Sequence, residues 1–257
     1  MGTNQACDVT FPATVLPAAS PGTLCARPAR RASARVLRAG RRTIVGVLAG
    51  IALLVGMGAA RAFDVEAMLR ASQARGAQAH AGARALQGLL ASLDGQDESA
   101  RLVAINQFFN RRIQFAPDTE VWGQIDYWAS PLETLAQGRG DCEDYVIAKY
   151  YGLLAAGVPV AHLRLVYVRA TLGGPGGEVL PHMVLAHYAT PGAEPSILDN
   201  LVGDIRPASR RRDLEPVFSF NGDGLWQGVG ANRAGDPAAR LSRWREVQVK
   251  ARAEGFD

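Results

Sequence analysis

Apolar residues at helical spacing mark several stretches of this chain, and a period of two marks its middle. Residues 64–93 are Ala-rich with scattered Gln and Arg and predict one or two helices, interrupted near Gly76 and Gly82. From about Glu98 to Arg111, Leu102, Ile105 and Phe109 fall at i, i+3 and i+7, the buried face of a further helix. Pro117 and Gly123 punctuate a loop carrying Trp122, Tyr127 and Trp128, and Trp122 and Trp128 read equally as core aromatics or as rims of a substrate groove. Pro131 to Leu135 predicts a short helical turn. Gly138 and Gly140 then allow a tight backbone approach before Asp141, a natural N-cap for a helix over roughly 142–156 that Gly157 ends.

Beyond Gly157 the period changes. Leu163 to Arg169 is β-branched and aromatic, residues 173–177 are a Gly-rich turn, and Pro181 to Tyr188 and Ser196 to Asp199 predict the next strands. The turn reads either as a mobile flap or as a hairpin connection. A further strand is expected within 210–220, few clear elements between 204 and 230, and a docked helix from Leu241, Trp244 and Val247. Helices followed by antiparallel strands predict an α+β fold. With 257 residues and 48% hydrophobic content, the chain can bury one ordinary core, so one domain over residues 63–257 is expected.

Charge divides the chain unevenly. Residues 1–62 carry eight arginines and one acid, whereas residues 63–257 carry 20 Lys and Arg against 23 Asp and Glu, a formal charge of −3. A folded part of that balance does not suggest the basic face that nucleic-acid binding requires. Behind the arginines, residues 43–60 contain no charge and are followed by Ala60-Arg61-Ala62, which reads as a basic n-region, an apolar h-region and a cleavage signal. An uncleaved membrane anchor is the alternative, and either reading exports residues 63–257. Cleavage would remove Cys7 and Cys25, leaving Cys142 as the only cysteine of the mature chain.

Cys142 is therefore the first candidate for chemistry. A thiol attacks carbonyls as the thiolate, which a helix N-terminus stabilises. His182, on a strand, could take the thiol proton, and Asp199, at the end of the next strand, could hold the imidazole. His187 is the competing histidine on the same strand, five positions on and so on the opposite face. His80 and His162 are expected to face solvent. Asp141, Glu143 and Asp144 would oppose thiolate formation unless neutralised, so a positive group is expected nearby. By themselves these acids read either as complements to the helix dipole or as ligands for a hard cation such as Ca²⁺, the former being the simpler.

Trp122, residues 126–133, residues 140–145, Lys149 with Tyr150, residues 182–185, residues 198–201 and residues 218–221 together resemble the bacterial transglutaminase-like cysteine peptidases of the LapG type, over roughly residues 98–230. The resemblance implies a papain-like or transglutaminase-like core, with a catalytic cysteine at a helix N-terminus packed on an antiparallel sheet. It implies a Cys142, His182 and Asp199 triad, with Asp141, Glu143 and Asp144 as Ca²⁺ ligands. It further implies a periplasmic endopeptidase that cuts the N-terminal retention region of a large surface adhesin beside paired alanines, so releasing cells from biofilm. An inner-membrane receptor for cyclic di-GMP is the implied sequestering partner. Acyl transfer to an amine, as in transglutaminases, and a non-catalytic calcium-responsive binding module remain the competing functions.

Overall fold

A computed structural model describes residues 63–256. The expected signal or anchor segment, with Cys7 and Cys25, lies outside these residues. Among those described, no helix is long and apolar enough to cross a membrane.

The helical part comes first. Helices α1 (Val65–Ala74) and α2 (Ala77–Ser92) are separated at Gly76, whose φ of 106° is a conformation that side-chain-bearing residues rarely adopt. The second expected interruption is absent, because Gly82 lies inside α2. A Cβ there would sit 3.1 Å from the Leu135 Cβ, so this glycine lets α2 approach helix α5 (Pro131–Gln137) closely. Helix α3 (Glu98–Arg112) is capped by Asp97, which accepts from the Ala100 amide at 2.7 Å. Its Leu102, Ile105 and Phe109 are buried as the spacing predicts, each contributing roughly 1.5–3 kcal/mol. The expected loop contains a four-residue helix, α4 (Asp118–Val121).

Two short strands, β1 (Gln114–Phe115) and β2 (Arg139–Gly140), pair in parallel and hold the approach to helix α6 (Cys142–Ala155). The rest is a seven-stranded antiparallel sheet of β3 (Leu163–Leu172), β4 (Glu178–His187), β5 (Ser196–Leu198), β6 (Arg206–Pro207), β7 (Leu214–Phe220), β8 (Leu225–Gln227) and β9 (Arg233–Gly235). Its order is β6-β5-β4-β3-β7-β8-β9, and α6 packs against β3 and β4 at its centre. The Gly-rich turn 173–177 is the β3–β4 hairpin connection. Trp128 resolves as a core residue, stacked at 5.8 Å on Phe220, whereas Trp122 is half-buried against Tyr127.

The chain closes on itself through α7 (Pro237–Arg240) and α8 (Ser242–Ala253). Trp244 on α8 is fully buried against Tyr150 and Phe220. Just past α8, Glu254 accepts from the Leu132 amide at 3.0 Å and pairs with Arg75 at 2.8 Å, satisfying a donor at the start of α5. Ser130 and Glu133 form a capping box on the same helix. Because Glu254 is buried, Glu254→Ala strands several of these partners. It is expected to cost about 3 kcal/mol, read as a lower urea midpoint at unchanged m-value.

Candidate active site

Cys142 is the first residue of α6 and is fully buried. Its Sγ lies 3.0 Å from Glu143 Oε2. Nucleophilic chemistry belongs to its reduced thiol. The expectation of an unpaired thiol concerned the chain without Cys7 and Cys25, which lie outside the described residues.

His182 and Asp199 meet at the centre of the sheet. Register pairs Leu185 with Leu198 and Ala186 with Ile197, which carries the end of β5 toward the middle of β4. There His182 Nε2 lies 2.8 Å from Asp199 Oδ1, both side chains essentially inaccessible to solvent. Asp199 Oδ1 also accepts from the Asn200 and Leu201 amides at 2.7 and 3.2 Å, and Oδ2 accepts from Arg211 Nη2 at 2.7 Å. Burial opposes ionisation, but the His182 hydrogen bond and the Arg211 charge hold the carboxyl well below the usual range. Arg211 in turn binds Asp213.

His187 does not share this site. It lies against Glu98 together with His162, whose Nδ1 is 2.9 Å from Glu98 Oε1, so His162 is not a simple solvent-facing residue. His80 is half-buried and paired with Ser72.

The acids flanking the cysteine are all buried, and a fourth, Asp118 from α4, joins them. Asp118, Asp141 and Glu143 each offer an oxygen to one small volume, with all three oxygens within 4.8 Å of one another. Asp141 occupies the N-cap position of α6, but its carboxylate does not cap the helix. Both of its oxygens, Glu143 Oε1 and Asp144 Oδ2 have no hydrogen-bond partner. Buried polar oxygens are seldom left so, and this donor set suits a hard cation. Asp144 is set slightly apart, with Oδ1 accepting from the Ala129 amide at 2.8 Å. A Cβ at Gly140 would sit 2.5 Å from Asp144 Oδ2, so the second glycine of the motif is required by the packing of this carboxylate.

Burial raises all three flanking carboxyls, and mutual repulsion adds to it. Glu143 is pushed up to about 8, with the charge of Asp118 contributing. Asp141 and Asp144 are raised well above the usual range, with the charge of Glu143 next in importance after burial. Among the described residues, the charge of Lys250 acts on Asp144. Lys149 is buried two turns along α6, its amine brought down to about 7 by burial, and the charge it feels is that of Asp199.

The sequence pattern does not anticipate Asp118 or Arg211. Asp118 follows Pro117 at the start of a helix too short to leave a periodic signal, and Arg211 sits in a run of three arginines that gives no hint of burial.

The model of the bacterial transglutaminase-like cysteine proteinase family matches residues 83–212. The chain belongs to this family. Legionella pneumophila LapG is 36% identical, with a TM-score of 0.63 over 73% of this chain and 97% of that one. Its EGTA-treated form gives 35% and 0.64 over the same shares. Its calcium-bound form gives 34% and 0.61 over 73% of this chain and 98% of that one. No curated protein matches the chain. Membership makes the protein a cysteine peptidase by family and its fold that of LapG, in agreement with the helix-and-sheet arrangement described above.

The raised carboxyls have a consequence for stability. A carboxyl held above its unfolded value stabilises the fold at low pH and loses that contribution as pH rises through the folded value. With divalent metal chelated, the denaturation midpoint is therefore expected to fall between pH 4.5 and about 7, above which the lowered Lys149 amine adds a contribution of opposite sign. Asp199, being depressed, is already ionised in both states there and contributes no slope. Asp141→Asn should flatten the decline, as measured by urea denaturation across the interval.

Proposed function

We propose that this protein is a calcium-dependent cysteine endopeptidase in which Cys142, His182 and Asp199 form the triad. The observation that carries the reading is the 2.8 Å contact between His182 and Asp199 on the sheet packed against the helix that begins with Cys142. With Nε2 turned to Asp199, His182 exchanges protons through Nδ1. It takes the thiol proton as Cys142 attacks the scissile carbonyl. The tetrahedral intermediate then collapses to a thioester, and the imidazolium gives its proton to the leaving amine. A water molecule, deprotonated by the same imidazole, attacks the thioester and restores the thiol.

Asp199 fixes the tautomer and offsets the imidazolium charge, and Arg211 keeps Asp199 ionised and oriented. The first amides of α6 have no intrahelical partner, and the helix start favours the thiolate.

Calcium is the cation we assign to the acids. Asp118, Asp141 and Glu143 would hold it, with Asp144 beside them, and it would supply positive charge next to the thiolate. Support comes from the buried oxygens without hydrogen bonds and from the calcium-bound form of LapG among the structural relatives.

The substrate class we infer is the N-terminal retention region of a large surface adhesin, cut beside paired alanines in the periplasm to release cells from biofilm. Sequestration by an inner-membrane cyclic di-GMP receptor completes the proposal. These rest on the LapG resemblance and on the charge-free segment 43–60 behind its arginines.

The test is cleavage of retention regions from adhesins encoded by the same organism, read by mass spectrometry. Cys142→Ala is expected to abolish cleavage while leaving the circular dichroism spectrum unchanged. Asp199→Asn should lower kcat by about 10⁴-fold, because the wrong tautomer is then favoured. Retained cleavage by Cys142→Ala would remove the nucleophile from Cys142. Treatment with EGTA should lower both activity and thermal midpoint, and Ca²⁺ should restore both; unchanged values would sink the calcium assignment.

A further inference from the structure

A second group of metal-type ligands stands apart from the acids around Cys142 and shares no residue with them. Glu98, His162 and His187 each direct one ligand atom into a common volume, all within 4.8 Å of one another. His162 Nδ1 lies 2.9 Å from Glu98 Oε1, and His187 Nε2 approaches that same oxygen. The imidazoles face each other edge to face, with centroids 6.0 Å apart.

Three separate elements bring these side chains together, and each is fixed. Glu98 opens α3, whose first turn is locked by the Asp97 cap. His187 ends β4, opposite Leu163 in register. His162 ends the 3-10 turn Val160–His162, and its carbonyl accepts from the Tyr188 amide at 2.8 Å. Asn221 pins the turn by donating to the Val160 and Leu163 carbonyls at 3.0 and 2.9 Å. This is the part played by the Asn221 of the sequence motif, and it lies far along the chain from the cysteine.

We propose that Glu98, His162 and His187 form a binding site for a borderline divalent transition metal such as Zn²⁺. Two imidazole nitrogens and one carboxylate oxygen are the donors that zinc, cobalt and nickel favour and that calcium does not. Glu98 and His162 are partly exposed, at 32% and 25% of their side chains, while His187 is nearly buried. The site thus has a floor of protein and a mouth open to water, leaving a fourth position for solvent or an exogenous ligand. Bound metal would tie the start of α3 to the end of β4, two elements that both pack against α6.

The experiment uses the full chain carrying C7S, C25S and C142A, so that no thiolate competes for metal. The protein is stripped with chelator, saturated with Ca²⁺, and titrated with Zn²⁺ by calorimetry and with Co²⁺ by visible absorption. Expected are one equivalent of Zn²⁺, a Co²⁺ ligand-field band and a raised thermal midpoint. His187→Ala should weaken Zn²⁺ by at least about 100-fold. Because His187 supports the sheet, His162→Gln at the more exposed position provides the second variant, and Glu98→Gln the third. No saturable Zn²⁺ binding in the presence of Ca²⁺ would mean a hydrogen-bonded ion cluster only and overturns the proposal. Binding unchanged by both histidine variants overturns it too, by placing the metal elsewhere.

Discussion

Enclosing four carboxylates at the start of α6 is the constraint on which the surroundings of Cys142 depend. Asp118, Asp141, Glu143 and Asp144 are fully shielded from water. An ionised carboxylate removed from water costs several kcal/mol even after relaxation. The dipole of α6 offers the equivalent of about half a positive charge, too little for four groups. Lys149, the amine buried on the same helix, feels Asp199 instead. The folded state must therefore take up protons or a cation here. Cys142 sits between Asp141 and Glu143 in sequence, so whatever neutralises those acids also sets the potential at its sulfur.

The sheet solves a different problem, the placing of one imidazole. β4 carries His182, β5 delivers Asp199, and the loop after β6 returns Arg211 to the far side of that carboxylate. Asp199 is held by a ring nitrogen, a guanidinium and two backbone amides, so its rotation is strongly restricted. Its backbone carbonyl also accepts from Asn110 on α3. The helical layer thereby fixes the far end of the same constellation. A carboxylate with so many donors stays ionised despite burial, which is the condition for holding one histidine tautomer.

Much of this was legible because the signals are local. The period of Leu102, Ile105 and Phe109, the Gly157 stop, the Gly-rich hairpin and the alternation around β3 and β4 all depend on near neighbours. Short strands such as β6, β8 and β9 were not, since two or three residues cannot establish a period. The site divides in the same way. Cys142, His182 and Asp199 stand in recognisable local settings, whereas Asp118 and Arg211 reach the site only through the closing of the fold. Gly82 shows the reverse error: read as a helix breaker, it is a contact residue, because Leu135 occupies the space a side chain would need. Asp141 occupies the N-cap position that its sequence setting predicts, yet its carboxylate does not cap the helix and instead joins the other acids.

Protons and cations are not equivalent solutions to the charge at α6. Protonation proceeds one group at a time, and although burial raises Glu143, Asp141 and Asp144 and so favours it, it brings no positive charge to the site. A divalent cation would offset two charges at once without supplying protons, and would bring positive charge beside the Cys142 sulfur. Glu143 lies on both sides of this balance, with Oε2 against the sulfur and Oε1 without a hydrogen bond on the other side. It is the residue through which occupancy of the acidic cluster would be felt at Cys142.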